Sequence, residues 1–141
     1  MRYLAIDPGE KKIGLAVSDL LGVVARPLEV LAHVSTPSDV QRIAAIASAH
    51  EVDVILVGAP LGEGEEAGMA LRRAERLAAA LRTATQRPVW LCDESGSTAE
   101  AREARLAAGH RRKSRRTADD AVAAAVILQT YLDTLHHTDD I

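Results

Sequence analysis

Three carboxylates stand where the sequence could form a site for a divalent metal ion. Asp7 ends a first apolar segment, Glu94 directly follows a later one, and Asp120 stands at the start of a third. Carboxylates that lie close together repel one another unless a cation compensates their charge. Because hard oxygen ligands favour Mg²⁺ or Mn²⁺, convergence of these acids would predict a site for one of these ions.

Each acid also has a simpler structural explanation. The Asp-Pro-Gly sequence that begins at Asp7 is common in turns, and Asp120 could cap a helix. Asp93 and Glu94 could together form the polar end of a strand. Since side chains alternate between the two faces of a strand, only one of these two can share a face with Asp7. These explanations do not account for three acids at one edge of a predicted sheet.

A basic segment directly precedes Asp120. Residues 110–116, HRRKSRR, hold five of the 17 Lys and Arg residues, whereas all 20 Asp and Glu residues lie elsewhere. We expect a loop whose cations contact the phosphate backbone of a nucleic acid. The alternative is a solvated loop of long side chains. The cations of this segment are Arg111, Arg112, Lys113, Arg115 and Arg116.

The elements that must position these residues begin with three β-strands. Apolar segments at residues 2–7, 13–18 and roughly 23–34 are separated by sequences typical of turns. Because the connections are short, these strands should form an antiparallel meander.

Helices and strands alternate in the remainder of the chain. Residues 52–58 and 88–93 are apolar segments typical of buried parallel strands. A capping box at 97–100 predicts a helix to about residue 108. The last helix is expected to start near Asp119 or Asp120, and its apolar residues on nearly all sides suggest that it is sandwiched in the fold. The two earlier helices are opened by Pro37 and Ser38 and by the glycine-containing loop before Leu71.

This pattern predicts one α/β domain over residues 1–141, a five-stranded mixed sheet with helices on both faces. Parallel sheets of this kind form their sites beyond the carboxyl ends of the strands. If the first, fourth and fifth strands are parallel neighbours, Asp7 and Glu94 emerge at the same edge.

Composition narrows the classes of protein that remain. The 141 residues are 48% hydrophobic, and the aromatic residues are Tyr3, Trp90 and Tyr131, so base-stacking platforms are not expected. The lone Cys92 excludes an internal disulfide and indicates a reducing compartment, for which the cytoplasm is the default. We expect no targeting segment and no membrane anchor. The glycine loop at 58–68 lacks the Gly-Lys-Ser/Thr of a P-loop and carries glutamates that repel phosphate.

Four sequence blocks together resemble the YqgF/RuvX family of bacterial RNase H-like nucleases. In order, they are LAIDPGEKKIGLAVSD, VDVILVGAPL, PVWLCDESGST and DDAVAAAVILQTYLD. The resemblance implies an RNase H-like fold whose catalytic acids fall on Asp7, Glu94 and Asp120. It also implies activity on Holliday junctions or on the 5′ end of pre-16S rRNA. Alignment of the last block through Ile127–Leu128–Gln129 selects Asp120 over Asp119.

The third block departs from the family pattern. Ser95 and Gly96 stand where Arg and Leu are usual, and a guanidinium that could hold a phosphate or a carboxylate is lost. Lys12 replaces a usual Arg in the first block. The departure at Ser95 and Gly96 motivates an alternative function, a non-catalytic nucleic-acid-binding module of RNase H-like fold. Metal-dependent cleavage would distinguish the nuclease from this module.

We expect a metal-dependent nuclease that hydrolyses phosphodiester bonds. Asp7, Glu94 and Asp120 would hold Mg²⁺ or Mn²⁺. Lys12 and the basic segment would position the strand through its phosphates without reading its sequence. The expected partner is branched DNA or structured RNA, and junction resolution would require a homodimer because paired cuts need two active sites related by a two-fold axis. The Asp-x-Gly turn also resembles actin-like ATPases, but those need a second domain that 141 residues cannot supply.

Overall fold

A mixed β-sheet forms the centre of the structure, a computed structural model. The structure describes residues 1–60, 64–93 and 112–139, and in the last range it describes the side chains of residues 120–136. The strands lie in the order β3-β2-β1-β4-β5. Their bounds are β1 Tyr3–Pro8, β2 Lys12–Ser18, β3 Ala25–Ala32, β4 Val54–Ala59 and β5 Val89–Asp93.

The pairing of the strands confirms the predicted meander and the predicted parallel neighbours. Strand β2 pairs antiparallel with both β1 and β3. Strand β1 pairs parallel with β4, and β4 pairs parallel with β5. Each strand begins and ends within two residues of its predicted limits. The carboxyl ends of β1, β4 and β5 therefore meet at one edge of the sheet.

Three helices occur in the described part of the chain. Helix α1 spans Thr36–Ala49, and the side chain of Ser35 caps it by accepting a hydrogen bond from the amide of Ser38 at 3.2 Å. Helix α2 spans Glu65–Thr85, and α3 spans Arg112–Asp139. None of these helices is long and apolar enough to cross a membrane.

The helices cover both faces of the sheet, as predicted. Alternation along β1 directs Leu4 and Ile6 into a large core under α1 and α2, whereas Ala5 faces the smaller core under α3. That smaller core is completed by β4 and by Ala124, Leu128 and Leu132 of α3. Small side chains on the sheet let α3 lie close to it, and this closeness positions the candidate site.

The prediction that the last helix starts near Asp119 or Asp120 was wrong, because α3 begins at Arg112. The basic residues Arg112, Lys113, Arg115 and Arg116 thus belong to a helix and not to a loop. Arginine and lysine are good helix formers, and no glycine or proline interrupts residues 112–139. The predicted helix at 97–108 and Arg111 lie outside the described residues.

The last helix is also less enclosed than expected. Within the described part of the chain, α3 packs against the sheet with one face, and Val122 on its outer side is 41% exposed. The predicted enclosure on nearly all sides is therefore not met at Val122, and residues 94–111 lie outside the described part of the chain. The apolar run is rich in alanine, and small side chains expose little apolar area to water.

Candidate active site

Asp7 lies near the carboxyl end of β1, on the face of the sheet that α3 covers. It is half-buried and directly opposite Gly14 of β2 in the antiparallel ladder. The pair two positions along this ladder, Ala5 and Ala16, packs in the core under α3. Because opposite residues of an antiparallel pair share a face, Asp7 and Gly14 also face α3.

Gly14 brings helix α3 to this point. A Cβ atom at Gly14 would lie 2.0 Å from the carbonyl oxygen of Asp120 and 3.2 Å from the amide nitrogen of Ala121. Any side chain larger than hydrogen would therefore collide with the helix backbone. Since Gly14 is the direct partner of Asp7, this contact places the backbone of Asp120 against the strand that pairs with Asp7.

Gly14 was not predicted from the sequence, although a signal was available. A glycine inside a strand pattern often marks close approach of another backbone. Gly14 stands in the middle of the apolar run of β2, where the other residues are larger.

Asp120 is not a helix cap, which excludes its simpler explanation. It lies eight residues after the start of α3 and is half-buried. The position of α3 on the sheet is held further along by Gln129. Its side-chain oxygen accepts from the amide of Ala25 at 2.9 Å, and its side-chain nitrogen donates to the carbonyl of Val23 at 2.9 Å.

Lys12 lies in the same region as Asp120. Both residues line a cleft of about 260 Å³, together with Gly9, Glu10 and Lys11 of the turn between β1 and β2. The turn is held by the amide of Gly9, which donates to the carbonyl of Lys12 at 2.9 Å. The structure thus brings Lys12 and Asp120 together in one cleft, and Asp7 lies opposite the glycine that the backbone of Asp120 approaches.

The third predicted acid, Glu94, lies outside the described residues, as do Ser95 and Gly96. Its neighbour Asp93 is described and is exposed. On β5, Cys92 packs toward the core under α3, whereas Val89 belongs to the core under α1 and α2. By alternation, Asp93 therefore shares the face of Val89 and does not share a face with Asp7.

A buried acid outside this region has a structural role. Asp39, at the start of α1, is 2% exposed and accepts from the amide of Val34 at 3.1 Å and from Arg42 at 2.6 Å, and it also contacts His33. Burial alone would raise the pKa of Asp39, but these three partners hold its pKa below the ordinary value. The cluster ties the end of β3 to α1.

A sequence model of the RuvX family, described as a Holliday junction resolvase, matches residues 1–134. The chain belongs to the RuvX family. The curated relatives of this RuvX chain include a protein from Geobacillus kaustophilus that is 43% identical over 95% of this chain and 99% of its own length. Another, from Anaeromyxobacter sp., is 42% identical over 96% of this chain and 99% of its own length. Both are named as candidate pre-16S rRNA nucleases.

Solved structures show that the RuvX chain has the expected RNase H-like fold. The RuvC protein of T. thermophilus, solved with a Holliday junction substrate, matches with a TM-score of 0.59 at 20% identity, over 96% of each chain. The Holliday junction resolvase of fowlpox virus matches with a TM-score of 0.56 at 11% identity, over 96% of this chain and 99% of its own. At these identities the likeness establishes the fold.

Within the described residues of the RuvX chain, no group of three His, Cys, Asp or Glu side chains is arranged to hold a metal ion. Asp7 and Asp120 supply hard carboxylate oxygens at this edge of the sheet. Their chemistry and their shared position fit Mg²⁺ or Mn²⁺ better than a softer metal. Mg²⁺ is commonly held by one or two carboxylates together with water molecules and substrate oxygens, so two acids suffice for the protein's part of such a site.

Proposed function

We propose that this chain is a divalent-metal-dependent nuclease that hydrolyses phosphodiester bonds, with Asp7, Glu94 and Asp120 as its catalytic acids. The observation that supports the proposal most directly is the contact of Gly14, the ladder partner of Asp7, with the backbone of Asp120, at the edge where parallel strands end. Membership of the RuvX family, whose relatives are named as nucleases, supports the reaction class.

Glu94 is proposed as the third acid in preference to Asp93. The alternation on β5 turns Asp93 away from the face of Asp7. Glu94 also matches the acid that the family carries in its third sequence block. We therefore assign it together with Asp7 and Asp120 as a ligand of Mg²⁺ or Mn²⁺.

The residues of this chain would perform separate tasks in the reaction. A divalent ion at such a site supplies activation of water and stabilisation of the leaving oxygen. Asp7 and Asp120 would supply anionic oxygens from a strand and a helix, respectively. Lys12, which lines the cleft together with Asp120, would hold the scissile phosphate. The basic start of α3, together with Arg111, would hold further phosphates without reading bases.

The substrate that the relatives favour is structured precursor RNA. Relatives above 40% identity over nearly their whole length are named as candidate pre-16S rRNA nucleases. The second candidate is a four-way DNA junction, which the description of the matching family favours. Paired cuts in a junction would additionally require a homodimer.

The test is cleavage of three substrates by the purified protein: a 5′ segment of pre-16S rRNA, a four-way junction and linear duplex DNA. Each is assayed with Mg²⁺, with Mn²⁺ and with a chelator. We expect metal-dependent cleavage, which Asp7→Asn abolishes with little change in melting temperature. Retained cleavage in Asp7→Asn would assign this residue to the turn alone.

A matched pair of variants tests the third acid. Glu94→Gln should abolish cleavage, whereas Asp93→Asn, which removes the neighbouring carboxylate, should leave the cleavage rate unchanged. The opposite result would exchange the two assignments. Binding of nucleic acid without cleavage under every metal condition would identify the chain as a non-catalytic binding module.

A further inference from the structure

Helix α2 places a cation at the rim of the candidate active site. The Nη2 atom of Arg73 lies 3.8 Å from Oε1 of Glu10. Glu10 belongs to the turn between β1 and β2 and lines the cleft beside Asp120. Since α2 covers the opposite face of the sheet from α3, this pair connects the cleft to the far face across the sheet edge.

The two members of the pair differ in how firmly they are held. The side chain of Glu10 is 79% exposed, whereas that of Arg73 is 29% exposed. Ion pairs between exposed side chains contribute little to stability, and 3.8 Å is longer than a hydrogen bond. Glu10 can therefore leave Arg73 at small cost, while the packed stem of Arg73 keeps its guanidinium at the rim.

The chemistry of Arg73 suits a phosphate better than its present partner. A guanidinium can bind two phosphate oxygens at once, with shorter and stronger hydrogen bonds than this long contact. Lys11 and Lys12 of the adjacent turn add positive charge to the same rim. Among the described acids, Glu10 contacts Arg73, and Glu65 and Glu66 lie two turns before Arg73 in the first turn of α2.

We propose that Arg73 is a phosphate-binding residue whose site Glu10 occupies until nucleic acid arrives. A backbone phosphate next to the cleft would displace the Glu10 carboxylate and take its place on Arg73. The nucleic-acid surface would then extend from the cleft over the turn between β1 and β2 and onto α2. This inference rests on the proposed function and identifies where the strand continues beyond the site of cleavage.

The test measures the affinity for a structured RNA fragment as a function of salt, in a background of Asp7→Asn that prevents cleavage. Arg73→Ala should reduce the negative slope of log K against log salt by about one unit and weaken binding about fivefold at roughly 0.15 M salt, as for one lost phosphate contact. Arg76→Ala is the matched control, because Arg76 is exposed on the same helix and lies about one turn further from the cleft. It should leave the slope unchanged.

A double-mutant cycle tests the role of Glu10. Glu10→Gln should strengthen binding when Arg73 is present and have no effect when Arg73 is alanine, because Glu10 would act by occupying that guanidinium. An equal gain in both backgrounds would show that Glu10 merely repels the strand and would overturn the displacement. An unchanged slope in Arg73→Ala, with normal binding by the parent protein, would overturn the inference alone. Absence of binding by the parent to any nucleic acid would overturn the proposed function as well.

Discussion

Replacing Gly14 with alanine should move α3 away from β2. Asp120 on α3 would then move away from the strand pair that carries Asp7. The added Cβ atom would lie 2.0 Å from the carbonyl oxygen of Asp120, whereas ordinary contacts begin near 3.4 Å. Backbone atoms lie on both sides of this contact, so rotation of a side chain cannot relieve it. The helix must move away from the strand by about 1.4 Å at this point.

The expected losses follow from that displacement. Overpacking a core typically costs about 1–3 kcal/mol, and a clash between two backbones should lie at the upper end. We therefore expect Gly14→Ala to lower the free energy of unfolding by about 3 kcal/mol. Since a displacement of about 1 Å in a catalytic group can cost roughly 100-fold in rate, the cleavage rate of the folded variant should fall about 100-fold.

Urea unfolding followed by circular dichroism measures the first loss, and cleavage at a temperature where both proteins are folded measures the second. Gly68→Ala is the matched control, because a Cβ there would meet only the Nη1 atom of Arg72, at 3.5 Å. This control should gain about 0.5–1 kcal/mol from its position inside helix α2 and keep its activity. Unchanged unfolding and cleavage in Gly14→Ala would refute the close contact and the placement of Asp120 beside Asp7.

Three further predictions concern metal binding, the basic helix start and the buried acid. Saturating Mg²⁺ or Mn²⁺ should raise the melting temperature, because a ligand at 100 times its Kd stabilises the folded state by about 2.7 kcal/mol. Asp7→Asn should abolish this shift in melting temperature. Absence of a shift in the parent protein at millimolar metal would argue against the metal site. Replacing Arg112, Lys113 and Arg116 together with alanine should reduce the negative slope of log K for nucleic-acid binding against log salt by about two to three units, as measured by titration at several salt concentrations. An unaltered slope would show that these side chains do not contact the phosphates. Asp39→Asn should lower the free energy of unfolding at pH 7 by about 1–3 kcal/mol. Because the folded-state pKa of Asp39 is lowered, the ionised carboxylate stabilises the fold above the ordinary pKa of aspartate, and this stabilisation is lost as pH falls through the folded-state pKa. The difference in urea midpoint between the parent protein and Asp39→Asn should therefore narrow in acid. A difference that persists in acid would contradict the stabilising role of the carboxylate.

The sequence alone was enough to predict the strands and whether neighbouring strands pair parallel or antiparallel. Apolar runs of five to eight residues separated by turn sequences are local signals, and each strand lies where its own residues predicted it. Asp7, Lys12 and Asp120 could also be selected in advance, because each stands beside such a run and matches a sequence block of the RuvX family. Local composition thus identified both the sheet and the main candidates for chemistry.

Only the tertiary structure decided which of these residues meet. The contact of Gly14 with Asp120 joins residues more than 100 positions apart in the sequence. It depends on the small side chains of one face of the sheet and on the path of α3, and no local sequence pattern encodes this pairing. The start of α3 was misjudged because Arg and Lys are compatible with both loop and helix, so local signals did not mark its first residue. The exclusion of Asp93 and the contact of Arg73 with Glu10 likewise depend on how separate elements pack across the sheet.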